Sequence, residues 1–494
     1  MNILMVYPEY PDAFWAFKTA LKFIGRKASM PPLGLLTVAS MLPKEWDKRI
    51  VDLNVRPLTD EQIAWADMVF VSAMLVQSKS AQEVINRSKA AGKKVVAGGP
   101  VFTNMAHLFT GVDHYVKGEA EVTLKPFLAD LAAGTLKPEY SSTVKPQLND
   151  TPIPMWELIN FKDYAFMLLQ YSRGCPWDCD FCDITGMFGR VPRVKPVERM
   201  IAEFDSLYIN GYRHGTIFLV DDNFIGNRLH VKQFLKKFVI WQRQHNYPFQ
   251  LTTEASVDLA DHEDLMLLMQ QANFSKVFLG IESVNIESLL GCHKDQNAKR
   301  DLVAVVKKVQ GYGMQVYGGF IVGLDKDPPS VFDKMINYIQ NTGVVNAMVG
   351  LLQAVPGTDL WNRLEREGRL LEDSSGNNTS ARLNFIPQMD REQLIAGYKR
   401  ILSTIYSSRN YYQRIWTFIK HYHPTSKSRI KLRELVAVIK SSWHIGIVSN
   451  KRWLYWGLLV RTFFTKIKAV PVAIELAIMG LHFEKVVSDV CKEE

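Results

Sequence analysis

Cysteine is scarce in this sequence, with five residues in 494. That is too few for the disulfide framework of a secreted domain. There is no run of about 18 uncharged apolar residues, because Glu475 interrupts the best candidate, so a membrane-spanning helix is not expected. Met1–Pro8 runs directly into a strand-like apolar stretch, with no charged leader, apolar core or small-residue cleavage site. Secretion is therefore not expected, and a cytoplasmic location is. No G-x-G-x-x-G follows the first strand candidate, which argues against a plain dinucleotide site. An apolar fraction of 47% and a charged fraction of 22% are ordinary for a folded protein and exclude disorder over most of the length. A chain this long is expected to form about three domains.

The net charge of +9 is unevenly spread. Residues 401–494 carry 15 Lys and Arg against 6 Asp and Glu, whereas the first 400 are balanced at 44 against 44. The whole excess sits in the C-terminal fifth and needs a reason.

Three segments differ in rhythm. Residues 1–140 alternate strand candidates (Asn2–Tyr7, Arg49–Leu53, Met68–Ala73, Lys94–Ala97, His114–Val116) with helical pieces such as Leu33–Leu42 and Ser80–Ala91. This α/β pattern predicts a Rossmann-like parallel sheet, with ligands bound at the carboxyl ends of its strands. Gly98-Gly99-Pro100 leaves one strand without side chains for two residues, which lets a large flat ligand approach the backbone. Residues 141–165, with Pro146, Pro152 and Pro154, read as a linker. Residues 166–375 repeat the rhythm through Phe166–Tyr171, Gly215–Val220, Gln250–Glu254, Lys276–Ile281, Gln315–Val322 and Val345–Leu352. Six βα units suit a partial (β/α)6 barrel with its chemistry in the carboxyl-end loops. Residues 376–494 show no strand rhythm. They read as an α-helical C-terminal domain with stretches at Arg391–Tyr422, Lys431–Trp443, Trp453–Lys466 and Val470–Val487.

The strongest chemical signal is Cys175-Pro-Trp-Asp-Cys179-Asp-Phe-Cys182, a CxxxCxxC directly after a strand candidate. Thiolates suit iron–sulfur clusters or zinc, but structural zinc wants four protein ligands. No fourth is near, since His214 and His230 are distant in sequence. Three ligands leave one iron of a 4Fe-4S cubane open to the amino and carboxylate groups of S-adenosylmethionine (SAM). Cys292 and Cys491 stand alone and read as a buried thiol or an idle one.

The motif, with its aromatic Phe181, resembles the signature of the radical SAM superfamily. The resemblance implies that Cys175, Cys179 and Cys182 hold the cluster and that SAM is cleaved to a 5′-deoxyadenosyl radical. Later strands match in family order. The LVDDNF run resembles the segment contacting the SAM amino group, which points to Asp221 and Asp222. TTEAS resembles the ribose and carboxylate site (Glu254, Ser256), and GIES the fourth-strand segment (Glu282). GGFIVGLD resembles the adenine-flanking segment (Gly318, Gly319), and QAVPGT the closing strand. Arg173, Arg190 and Arg193 bracket the cysteines and read either as carriers of the SAM carboxylate or as a solvated loop.

Residues 1–140 resemble the cobalamin-binding domain that precedes one class of radical SAM enzymes. The matching features are Ser72-Ala-Met-Leu75, Gly98-Gly99-Pro100 and Val116-Lys-Gly-Glu119. The usual DxHxxG is absent, since neither Tyr7–Phe17 nor Asp52–Pro57 contains a histidine. Two readings stay open. Cobalamin binds without a protein His ligand, leaving Leu75, Val76 or Gln77 against its lower face, or the domain has lost cobalamin and only shapes the active site. With cobalamin present, the resemblance implies two uses of SAM, one as methyl donor and one as radical source.

The basic tail interleaves aromatics, as in Arg414-Ile-Trp416 and Trp453-Leu-Tyr-Trp456 through Phe464. That pattern fits amphipathic helices on a membrane surface better than a nucleic-acid face; the bland alternative is a helical cap packed on the barrel. The layout is similar to lipid-modifying cobalamin-type radical SAM enzymes such as hopanoid C-2 methylases and tetraether synthases. That resemblance implies C-methylation of an unactivated carbon of a lipid or other hydrophobic substrate, at the inner face of the membrane. A reductant such as ferredoxin or flavodoxin would supply the electron. The alternatives are radical coupling or cyclisation of lipid chains, and a non-catalytic sensor. RNA methylthiolation would need three further cysteines before Cys175, and there are none.

Overall fold

The computed structural model describes residues 1–425 and 432–492. The first unit is a six-stranded sheet of β1 (Asn2–Tyr7), β2 (Asp47–Asp52), β3 (Met68–Ser72), β4 (Lys94–Gly98), β5 (His114–Val116) and β6 (Glu139–Tyr140). All its pairings are parallel, in the order β2-β1-β3-β4-β5-β6. The central strands β1 and β3 are near-continuous apolar runs because both faces are covered. Ile3 and Met5 share a core with α1 (Lys18–Ile24), α2 (Leu33–Met41) and α4 (Ala120–Ala133). Leu4 and Val6 point the other way, to Val84 and Ile85 of α3 (Ser78–Ala90). The strand order reverses between β1 and β3. In open parallel sheets the crevice at such a switch point is where ligands sit.

The chain between the two sheets is fixed rather than slack. Short 3-10 turns at Leu148–Asp150, Trp156–Leu158 and Phe161–Asp163 strap it to the first unit. The Met155 amide donates to the Leu36 carbonyl at 3.0 Å, and the Asp163 carbonyl accepts from Lys27 and Ala28. Trp156 is fully buried, and Tyr164 donates its hydroxyl to Asp52 at 3.1 Å.

The second sheet follows chain order. It contains β7 (Phe166–Leu169), β10 (Gly215–Leu219), β11 (Phe249–Ala255), β12 (Phe274–Glu282), β13 (Gln315–Val322) and β14 (Asn346–Leu351). All neighbours are parallel, and β7 and β14 are edges, so the barrel is partial. A two-residue antiparallel pair, β8 (Ser172–Arg173) with β9 (Arg193–Val194), brackets the cysteine loop. Along β11 burial alternates: Leu251, Thr253 and Ala255 are buried, and Gln250, Thr252 and Glu254 are partly open. The closed face packs against helices and the open face lines the interior. The covering helices are α5 (Val197–Ile209), α6 (Arg228–Gln244), α7 (Glu263–Gln271), α8 (Leu302–Gly311), α9 (Val331–Thr342) and α10 (Asp359–Arg366).

The tail is helical: α11 (Arg391–Ile405), α12 (Ser408–His421), α13 (Leu432–Trp443), a π-type turn at His444–Val448, α14 (Arg452–Lys466) and α15 (Val470–Lys492). The stretch expected over Arg391–Tyr422 breaks at Tyr406 and Ser407. There the buried Tyr406 hydroxyl donates to the Ala347 carbonyl of β14 at 2.8 Å and the chain turns. Lys431, the expected first residue of the next stretch, lies outside the described residues. α15 ties the tail to the amino-terminal end of the barrel. Lys276 pairs with Glu475 at 2.5 Å, Tyr317 contacts the Met479 sulfur, and Phe483 stacks on Phe14 at 4.6 Å. Among the described residues no helix is long and apolar enough to cross a membrane.

Candidate active site

The cysteine loop leaves β8 through Gly174, whose φ of +96° suits glycine alone. A Cβ there would sit 2.7 Å from the Gly189 carbonyl oxygen. The loop is pinned from several sides. The Cys175 amide donates to the Gly189 carbonyl, Asp180 to Cys292, and Leu360 to Asp180. Asn223 places its amide nitrogen 3.8 Å from the Cys175 sulfur. All three cysteines are half-buried. Burial raises each thiol, pushing Cys182 up to about 12. Lys294, paired with Glu282 at 2.8 Å, lies near enough to oppose that rise at Cys179 and Cys182. Among the described residues no three His, Cys, Asp or Glu side chains converge on a single-ion site. A cubane is bound through one cysteine per iron, so its ligands need not converge. The donor set fits a cluster rather than a mononuclear metal.

The carboxyl ends of β10 and β11 bring acids to this loop. Asp221 accepts from the Tyr171 and Ser172 amides at 2.7 and 2.6 Å, and Asp222 from the Gly174 amide at 2.7 Å. Both therefore shape the backbone that presents the cysteines. Burial pushes Asp221 up to about 7 and Asp222 to about 6. Glu254 makes no side-chain hydrogen bond or ion pair among the described residues. Burial and then the charges of Asp222, Asp221 and Glu282 raise it to about 7. A desolvated acid cluster of this kind is poised for a cationic ligand, and SAM carries a sulfonium and an ammonium.

A cavity of about 1030 Å³ joins the two units. On one side lie Tyr7, Tyr10, Ser72, Met74, Val76, Gly98 and Gly99, at the switch point of the first sheet. On the other lie Gln170, Arg173, Asp221, Asp222 and Glu254, with Asp183 and Met187 of the cluster loop. Phe14, Trp15, Met30, Pro31 and Leu33 supply an apolar wall. No histidine lines the cavity among the described residues. A large planar group with no histidine beneath it fits this space.

Several expected residues lie elsewhere. Leu75 is off the cavity wall, packed into the second core and against Gly376, while its neighbours Met74 and Val76 face the space. Leu75–Gln77 form a 3-10 turn, in which successive side chains point about a third of a turn apart, and which of them faces the cavity has no local sequence signal. Gln77 is buried and spends its amide on the Met74 amide and the Pro8 carbonyl. Ser256 bonds Asn223 at 3.0 Å and also Asp258. Phe181 lies beneath the Lys294 ammonium. Gly318 and Gly319 sit within β13, and a Cβ on Gly319 would meet the Phe278 ring at 2.8 Å.

Arg173 and Arg193 are not on a solvated loop but are engaged by carboxylates of the first unit. Glu119, at the end of β5, accepts from Arg173 at 2.7 Å and from Arg193 at 2.8 and 2.9 Å. Glu121 takes the other side of Arg173 at 2.9 Å. All four side chains are largely buried, forming a bridge from the first unit to the strands around the cysteines. Only Arg190 is exposed, paired with Asp178 at 3.0 Å. Glu119 was visible as part of a loop motif, but nothing in sequence linked it to arginines more than fifty residues away.

One consequence is testable at Gly99, whose φ is +92° and whose Cβ would lie 2.5 Å from the Ser72 hydroxyl. Gly99→Ala is expected to cost about 1–3 kcal/mol of local strain and to lower cobalamin retained per chain several-fold. Corrin absorbance after desalting checks this; unchanged retention would mean the loop does not shape that site.

Comparisons with known proteins match these units. Residues 24–128 match a B12 binding domain, residues 169–339 the Radical SAM superfamily, and residues 358–494 a domain of unknown function. An uncharacterised methyltransferase of Synechocystis sp. is 40% identical, covering 92% of this chain and 86% of the relative. Hopanoid C-2 methylase of Rhodopseudomonas palustris is 34% identical over 93% of this chain and 89% of its own. Among solved structures, the cobalamin-dependent S-adenosylmethionine radical enzyme OxsB, with aqua-cobalamin bound, superposes with a TM-score of 0.65. At 14% identity it covers 99% of this chain and 84% of its own, and it speaks for the fold.

Proposed function

The chain belongs to the family of cobalamin-dependent radical SAM methyltransferases that includes hopanoid C-2 methylase, and from that premise we propose that it methylates an unactivated carbon of a membrane lipid. The observation that carries the reading is the single cavity whose walls are the corrin-side loops, the acid cluster beside the cysteines, and an apolar patch. It would let methyl carrier, radical source and acceptor meet without crossing bulk water. The relative named for hopanoid methylation supports a lipid acceptor.

In this reading the units are 1–140 for cobalamin, 166–375 for SAM and 376–494 for the surface, with 141–165 connecting the first two. Cys175, Cys179 and Cys182 hold a 4Fe-4S cluster, and Ser72, Gly98 and Gly99 border the cobalamin. When bound, the two groups supply an electron that splits SAM to a 5′-deoxyadenosyl radical and a carrier for the methyl group. Asp222 fixes the start of the cysteine loop through the Gly174 amide, and Asp221 fixes the strand end behind it. Glu254, without a partner among the described residues, offers an acceptor to a cationic ligand at the mouth of β11. Phe14, Trp15, Met30 and Leu33 hold the acceptor and keep thiols, reductants and oxygen, which would quench a carbon radical, away from it. No protein base is needed when a hydrogen atom, not a proton, leaves the acceptor carbon. The electron comes from an external donor of the ferredoxin or flavodoxin type, and the enzyme works peripherally at the cytoplasmic face of the membrane.

Comparative lipid mass spectrometry of a host with and without the gene tests this. The expected result is a lipid heavier by one methylene unit only where the gene is present. A loss of two hydrogens would instead indicate coupling or cyclisation.

A further inference from the structure

The basic tail has a face that nothing among the described residues covers. On α14 and the residue that follows it, Trp453, Trp456, Val460, Phe463, Phe464 and Ile467 are exposed, and at about 100° per residue they fall within an arc of about 100°. Tyr455, Leu458 and Thr462 occupy the opposite side and are buried. This is the reverse of a packed helix, whose apolar stripe faces the core. Trp453 is 78% and Phe464 81% exposed. On α13 and the π-type turn Ile439, Trp443, Ile447 and Val448 are likewise exposed. Trp456 donates its indole N–H to the Gly446 carbonyl at 2.9 Å, locking the turn to α14.

Charge identifies what fits this face. Residues 435–468 contain six Lys and Arg and no Asp or Glu. Two copies of so basic a patch would repel one another, whereas an anionic bilayer complements both its charge and its aromatics. We infer that α13, the 444–448 turn and α14 form a docking face for an anionic membrane surface, with the aromatic stripe seated at the headgroup boundary.

The face is also placed beside the cavity. α13 packs on α1, where Lys440 donates to the Lys22 carbonyl at 3.2 Å and His444 meets the Phe23 ring at 5.7 Å. The residues flanking α1, Phe14–Ala16 before it and Ser29–Leu33 after it, line the cavity. α1 thus stands between the docked bilayer and the apolar wall, where a lipid acceptor would enter. The entry route rests on the lipid reading above; the docking face does not.

The test is sedimentation of the full-length holoenzyme with vesicles of phosphatidylethanolamine and phosphatidylglycerol, or of phosphatidylcholine alone. The wild type is expected to bind the anionic vesicles in a salt-sensitive way. Trp453→Asp with Phe464→Asp, both on exposed positions, should weaken that binding by at least about 10-fold. SAM cleavage and methylation of a detergent-dispersed acceptor should be unchanged. Equal binding by variant and wild type, no preference for the anionic vesicles, or a wild-type dimer that the variant converts to a monomer would each overturn the docking face. Vesicle binding that persists when no lipid extract accepts a methyl group would count against the lipid reading and leave the docking face standing.

Discussion

Cys179→Ala is expected to reduce SAM cleavage to background and to leave the anaerobically reconstituted protein with little iron. The reason is coordination number. A cubane held by three thiolates keeps one iron for SAM, and removing one thiolate leaves two anchors on an 8-residue loop that contains no other soft ligand. The other two cysteines, Cys292 and Cys491, offer no replacement. Cys292 is buried with its thiol donating to the Leu289 carbonyl, and Cys491 is exposed at the end of α15. Burial raises all three motif thiols, Cys182 to about 12, so cluster assembly must release protons and should be favoured as pH rises. The fold itself should survive, because the loop is pinned by backbone hydrogen bonds that Ala retains. A variant with wild-type secondary structure, no cluster absorption and no 5′-deoxyadenosine is the expected outcome. Undiminished cleavage would remove Cys179 from the cluster.

Glu119→Ala should produce a large loss of stability for a change outside the hydrophobic cores. It withdraws the carboxylate shared by Arg173 and Arg193 in a site where neither guanidinium reaches solvent freely. Breaking a buried pair costs about 3–5 kcal/mol, because the remaining charge is left uncompensated. Arg173 keeps Glu121, while Arg193, among the described residues, keeps only the carbonyls of Pro146 and Phe188. The strain therefore falls on β9 and the end of the cysteine loop. Thermal unfolding should shift down by several degrees, and cluster content per chain should drop even though no ligand was changed. Glu119→Gln, which keeps the shape, should recover part of the stability. Burial would raise Glu121, but the Arg173 guanidinium outweighs it and holds the carboxyl below its usual range. Its contribution is accordingly present above the ordinary carboxylate pKa and lost as pH falls through the depressed folded value. An unchanged melting temperature and full cluster content in Glu119→Ala would show that the bridge between the units is ornamental.

Much of this architecture is legible in the sequence. Parallel strands announce themselves as short β-branched runs, and β1, β5 and β13 fall on the expected residues. The cysteine motif and the acids at the ends of β10 and β11 could be read because each lies at a fixed offset from a strand. What could not be read depended on contacts between distant segments. The Glu119 bridge, the plugging of the barrel by α15 through Lys276 and Glu475, and the orientation of Leu75 away from the cavity have no local signal. The tail shows both sides of this limit. Its basic aromatic composition suggested a surface role, yet one helix, α15, buries its apolar residues while α14 exposes them. Both look amphipathic in one dimension, and only the packing partners distinguish them.

The most direct test of the central claim is isotopic. The enzyme, reconstituted with iron, sulfide and cobalamin, is supplied with SAM bearing a trideuterated methyl group, a one-electron reductant and lipid extract. The account predicts an acceptor that gains the intact trideuterated methyl group, with 5′-deoxyadenosine and S-adenosylhomocysteine formed in equal amounts. An acceptor altered without deuterium, with 5′-deoxyadenosine and no S-adenosylhomocysteine, would contradict it.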